Sequence, residues 1–227
     1  MEARRLEKGV ARGLSPRYRL FRRAMVLLGW ILFGFTVHGA EKVPKEGPLI
    51  VASNHRQYAD PVLVSMAVPR RIQWMAKKEL FISPLDKLFF FIGAFPVDRQ
   101  RGARAALKTS LDLLAANWAL GIFPEGTRRK GYDPEDAPKS GIAMISTRSN
   151  APILPVFVDK APNPLQRLKN NKLHIYIGNP IYPHNTEHVK NTKDGENDNR
   201  RGRREIAGMI LREIYALGEG RSGRERP

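Results

Sequence analysis

The chain has 227 residues, 42% of them hydrophobic and 8% aromatic, enough apolar side chain for one domain-sized core. It carries 39 Lys and Arg against 22 Asp and Glu, a net charge of +17, which favours polyanionic partners and says nothing about fold. The absence of cysteine excludes disulfides, thiolate metal sites and a cysteine nucleophile.

At the N-terminus, Arg17, Arg19, Arg22 and Arg23 precede an uncharged run over residues 24–37. A cationic patch before an apolar run resembles a signal peptide, but no small-x-small cleavage site follows. The run is shorter than the about 20 apolar residues a spanning helix needs. It reads as a helix lying in a membrane interface, with Trp30 and the arginines at headgroup level; a buried core helix is the alternative. The arginines favour the membrane, with anionic phospholipid as partner, and the expected location is the cytoplasmic face of the cell membrane.

Further along, residues 49–52 form an apolar, buried-strand pattern, and Asp60-Pro61 reads as a helix start, with Asp at the cap and Pro in the first turn. Strands are expected over 72–76 and 94–97, with an apolar helix over 80–92 interrupted near Ser83-Pro84. Residues 103–118 place Leu107, Leu111, Leu114 and Trp118 at helical spacing. A short strand over 121–123 ends at Pro124, a helix covers 141–149, and 153–158 (ILPVFV) is the clearest β run, followed by a strand over 173–177. This alternation predicts a single α/β domain with a largely parallel mixed sheet flanked by helices. The polar, Asn-rich stretch 184–204 reads as a mobile loop, and Ile206, Ile210, Ile214 and Leu217 restore helical periodicity. The expected organisation is a basic and apolar membrane-association segment (1–36), an α/β core (37–183), and a polar loop, C-terminal helix and charged tail (184–227).

Four segments put polar or special residues after predicted strands, where ligand sites of α/β sheets lie. In Asn54-His55-Arg56-Gln57-Tyr58-Ala59-Asp60, a turn can fold Asp60 onto the imidazole, fixing its tautomer so that His55 removes a proton from an alcohol. Taken alone, the pair favours a structural reading, with Asp60 capping a helix and His55 hydrogen-bonded beside it. Arg99, following 94–97, suits bidentate phosphate binding or is a solvated arginine. In Phe123-Pro124-Glu125-Gly126-Thr127-Arg128, Gly126 permits a tight turn that presents Glu125 and Arg128 together. A carboxylate repels phosphate, so Glu125 is expected to position the acceptor by polar contact. The fourth segment, Ile153-Leu154-Pro155-Val156, is core or shapes an acyl site.

The order and spacing of Asn54-His55-x4-Asp60, Gly93-x5-Arg99, Phe123-Pro124-Glu125-Gly126-Thr127-Arg128 and Ile153-Leu154-Pro155-Val156 resemble the glycerolipid acyltransferase family, over about residues 37–180. Within it the chain is most similar to the bacterial 1-acyl-sn-glycerol-3-phosphate acyltransferases. The resemblance implies His55 as general base and Asp60 as its orienting partner. It implies a substrate-binding set of Asn54, Arg99, Glu125, Gly126, Thr127 and Arg128 for the acceptor's phosphate and glycerol. It further implies no metal, no bound cofactor, a lysophospholipid acceptor, and a donor thioester of coenzyme A or acyl carrier protein. Two departures are visible: Gln57 stands where many members have Ser, and Phe95-Pro96-Val97 where some have Ile-Phe-Ile.

Three other readings compete: a related enzyme using another lysophospholipid or glycerol phosphate, a lipid-binding relative with an idle site, and a basic nucleic-acid-binding protein. The last is disfavoured, because the positive charges are spread along the chain and no nucleic-acid-binding signature is present. His184 and His188 read as solvated loop histidines and Lys139 as a surface lysine.

Overall fold

A computed structural model describes residues 16–83, 85–97, 102–129, 131, 138–162, 166, 171–182 and 196–219. In chain order the elements are α1 (Pro16–Phe33), β1 (Thr36–His38), β2 (Leu49–Ser53), α2 (Asp60–Ala67), β3 (Ile72–Lys77), α3 (Leu85–Ile92), β4 (Ala94–Val97), α4 (Gly102–Ala115), β5 (Ala119–Ile122), α5 (Gly141–Ser149), β6 (Ile153–Val158), β7 (His174–Ile177) and α6 (Glu196–Glu219). The seven strands form one sheet in the order β1-β7-β6-β2-β5-β3-β4. Every neighbouring pair is parallel except β6 and β7, so the expected largely parallel mixed sheet is found.

β2 shows why helices cover both faces. All five of its residues are buried, and alternate side chains point to opposite sides of the sheet. Ile50 and Ala52 join Leu113 and Leu114 of α4, Ile142 and Ile145 of α5, and Ile206, Ile210 and Ile214 of α6. Leu49 and Val51 join Leu63, Val64 and Ala67 of α2. Fully burying each such aliphatic side chain contributes roughly 1.5–3 kcal/mol, which is why an uninterrupted apolar run is stable only at the centre of the sheet.

Both prolines of the strands sit where the ladder tolerates them. Pro96 lies on β4, an edge strand. Pro155 lies at an interruption of the antiparallel pairing: β7 is registered from Val156 onward, Gly178 donates its N–H to the Pro155 carbonyl at 2.9 Å, and an antiparallel bridge resumes at Ile153 and Ile181.

Three sequence expectations change. The uncharged run 24–37 is not one helix. α1 stops at Phe33, Gly34 takes a left-handed φ of 61°, and β1 pairs with β7 at the sheet edge. The polar stretch 184–204 is not all loop, because α6 begins at Glu196; its first turns include an Arg201–Glu205 pair at i,i+4 (3.2 Å). His184 and His188 lie outside the described residues. Finally, the cap of α2 is Ala59 rather than Asp60, which is already helical and turns its carboxylate back over the preceding loop.

Candidate active site

Adjacent parallel strands release their loops side by side. β2 and β5 are in register up to Ala52 and Ile122, so the segments after Ser53 and after Ile122 emerge together at the carboxyl edge of the sheet. The two loops are tied at His55. Its N–H donates to Glu125 Oε2 at 3.0 Å, and its carbonyl accepts from the Arg129 N–H at 2.8 Å.

The His55 side chain is held from two directions. Nδ1 lies 3.0 Å from Asp60 Oδ2, which also accepts the backbone N–H groups of Arg56 (2.6 Å) and Gln57 (2.7 Å). Three donors thus converge on one carboxylate oxygen in the first turn of α2. A carboxylate only accepts, so the proton of that bond belongs on Nδ1, and Nε2 is left with its lone pair. The imidazole also stacks on Phe123 (centroids 4.0 Å, interplanar 16°), and Phe123 stacks on Trp74 (4.9 Å, 18°). Trp74 donates Nε1–H to Ser65 Oγ at 2.9 Å and lies flat against Gly121, where any Cβ would come within 2.4 Å of the indole. The stack anchors the imidazole to the core. Asp60 is 1% exposed and His55 19%, so the carboxylate is sealed while the imidazole reaches solvent.

Asn54 differs from expectation. Its side chain is fully buried, donating to the Val158 carbonyl at 2.9 Å and accepting the Val158 N–H at 2.7 Å. This bidentate latch joins the end of β2 to the end of β6, and the substrate contact expected of Asn54 gives way to that role. Glu125, 8% exposed, has both oxygens engaged: Oε2 by His55 and Oε1 by the Tyr215 hydroxyl at 2.5 Å. Burial raises its pKa, against the hydrogen bonds from Tyr215 and His55. Its carboxylate holds the loops together where an acceptor contact was expected.

Gly126, Thr127 and Arg128 are exposed beside this pair. Gly126 takes a φ of 69°, and a Cβ there would approach Lys139 Cγ to 2.8 Å. The Arg128 guanidinium lies 3.4 Å from the ring centroid of Tyr58, a cation–π contact that stations it over the His55–Asp60 loop. Arg99 lies outside the described residues. Residues 153–156 are all buried within β6, as core. Among the described residues, no group of three or more His, Asp or Glu converges as a metal site requires.

Two contributors were not singled out from sequence. Tyr215 sits on the far helix α6, and Arg56 places its guanidinium over Phe157 (5.2 Å) and Tyr215 (5.7 Å). Only the position of Tyr215 beside periodic Ile214 hinted that it faces inward.

Residues 34–159 match the family model described as Acyltransferase. The 1-acyl-sn-glycerol-3-phosphate acyltransferase of Bacillus subtilis is 29% identical over 175 residues, covering 76% of this chain and 86% of that protein. The protein of the same name from Streptococcus pneumoniae is 30% identical over 169 residues, covering 72% of this chain and 62% of that protein. The solved structure of the 1-acyl-sn-glycerophosphate (LPA) acyltransferase PlsC from Thermotoga maritima superposes with a TM-score of 0.61 at 21% identity, over 88% of this chain and 81% of that one, a likeness of fold. The family match runs through both loops that hold His55, and the chain belongs to the acyltransferase family.

Proposed function

We propose that the chain moves a fatty acyl group from an acyl thioester to the 2-hydroxyl of 1-acyl-glycerol-3-phosphate, giving phosphatidic acid. The observation that carries this reading is the His55–Asp60 pair, which leaves Nε2 as the base. Nε2 takes the hydroxyl proton as that oxygen attacks the thioester carbonyl; the C–S bond then breaks, and the imidazolium returns its proton to the departing thiolate. Asp60 stabilises the imidazolium in between. Transfer is direct, with no acyl-enzyme.

Arg128, Gly126 and Thr127, with Arg99, bind the acceptor's phosphate and glycerol. The names of the relatives support this acceptor. The donor is a thioester of coenzyme A or acyl carrier protein.

The enzyme works at a membrane surface. Among the described residues no helix is long and apolar enough to cross a membrane. Yet α1 exposes Leu20, Leu27, Leu28, Trp30, Ile31 and Leu32. An apolar face of that kind, with Arg19 and Arg23 exposed on the same helix, suits the interface of an anionic leaflet, such as the cytoplasmic one. α1 is fixed to α2, the helix that starts at Asp60, by Arg22 Nη2 donating to the Met66 carbonyl at 2.7 Å. A bilayer under α1 therefore delivers lysophospholipid close to His55.

A donor-by-acceptor matrix with purified protein and vesicles tests the assignment. The expected product is phosphatidic acid from lysophosphatidic acid and a long-chain thioester. Turnover confined to a different acceptor would reject it.

A further inference from the structure

The hydrogen bonds around His55 continue away from the substrate side, through Glu125 to the last helix. Tyr215 is 5% exposed, and its hydroxyl donates to Glu125 Oε1 at 2.5 Å across a sequence separation of 90 residues. The other oxygen of the same carboxylate takes the His55 N–H at 3.0 Å. The Tyr215 ring is fixed in turn by an edge contact with Phe157 of β6 (5.8 Å) and by the Arg56 guanidinium (5.7 Å). Asp60 orients the imidazole by its ring nitrogen; nothing in that bond sets where the His55 backbone sits. The Glu125 bond does so on the N–H side, as the Arg129 N–H does on the carbonyl side at 2.8 Å, and one rotatable carboxylate is a poor anchor until its second oxygen is tied down.

We infer that Tyr215 is a positioning residue for acyl transfer, acting through Glu125 to hold the His55 backbone and so aim Nε2 at the acceptor hydroxyl. The inference rests on the reading of His55 as base. It makes α6 part of the catalytic apparatus although the helix lies beyond the family match, which ends at residue 159. Tyr215 touches no substrate, so its removal affects the rate of the chemical step and spares acceptor binding.

The Tyr215 bond also lowers the Glu125 pKa, opposing the rise that burial causes. Without the hydroxyl that pKa climbs further, so the pH below which Glu125 loses its charge moves up.

The test is Tyr215→Phe, which keeps the ring packing, measured beside wild type and His55→Ala with acyl-CoA and lysophosphatidic acid in vesicles. A hydrogen bond to a charged group is strong enough that we expect roughly a tenfold fall in kcat with acceptor KM within about twofold. The acid limb of the kcat–pH profile should shift to higher pH. In a cycle with Glu125→Gln, the double variant should be hardly slower than the slower single one, because both act on one link. If Tyr215→Phe keeps wild-type kcat and pH profile while His55→Ala is inactive, the role of Tyr215 is overturned and the base assignment stands. If His55→Ala remains active, the underlying reading fails instead. A fall in kcat that adds fully to that of Glu125→Gln, with the acid limb unmoved, would also overturn the inference.

Discussion

Asn54, His55 and Glu125 lie in the segments that follow β2 and β5, and their burial separates their tasks. A sealed amide with both ends bonded to Val158 is a latch between strands, so Asn54→Ala should lower stability by about 1–3 kcal/mol, the cost of leaving buried backbone groups unpaired. Denaturant melts read that loss, and the acceptor KM of the folded variant should be unchanged; a raised KM at unaltered stability would restore the substrate contact. Arg128, exposed and resting on Tyr58, is the opposite case. Arg128→Ala should raise acceptor KM by roughly tenfold or more, as loss of a charge-assisted bond to phosphate would, with little change in melting. Glu125 has a linkage consequence. Its folded pKa is raised, so folding favours its neutral form; that contribution is complete below the unfolded carboxyl pKa and is lost as pH rises through the folded value. Glu125→Gln should flatten this part of the stability–pH curve, as melts across that range would reveal.

At the scale of elements, the apolar runs were legible because a parallel strand buried on both faces has little choice of composition. The sequence bounds 141–149 and 153–158 coincide with those of α5 and β6. Boundaries are hidden where the apolar pattern is absent or runs on without change. The start of α6 has almost no such pattern, and its stability comes from the packed turns that follow. The end of α1 was hidden because its uncharged run continues unbroken into β1, leaving Gly34 as the only break. The site was half legible in the same way. His55 and Asp60 are five residues apart and joined by a turn, whereas Glu125 and Tyr215 meet only because β5 and α6 pack on one core. One element-level test concerns the aromatic stack. Gly121→Val would drive side-chain atoms into Trp74, so we expect a destabilisation of about 1–3 kcal/mol, seen as a lower Tm, together with reduced turnover as Phe123 and His55 lose their backing. An unchanged Tm would show that Trp74 moves aside freely.

For the whole molecule, the proposed membrane role assigns the net charge of +17 and the exposed face of α1 to one anionic partner. Binding to vesicles rich in anionic lipid should weaken steeply with salt, since surface charges are screened over about 8 Å at physiological ionic strength. Trp30→Glu should cut that binding without unfolding the core, because Trp30 packs outward; vesicle sedimentation checks both points. The most direct test of the central claim uses the lack of cysteine, which lets a thiol reagent count released coenzyme A against no protein background. With acyl-CoA and lysophosphatidic acid, wild type should release one thiol per phosphatidic acid formed, and His55→Ala should fall by roughly 10²–10⁴-fold, the contribution of a placed general base. Near-normal turnover by His55→Ala, or a stable acyl-protein adduct, would contradict direct transfer by this histidine.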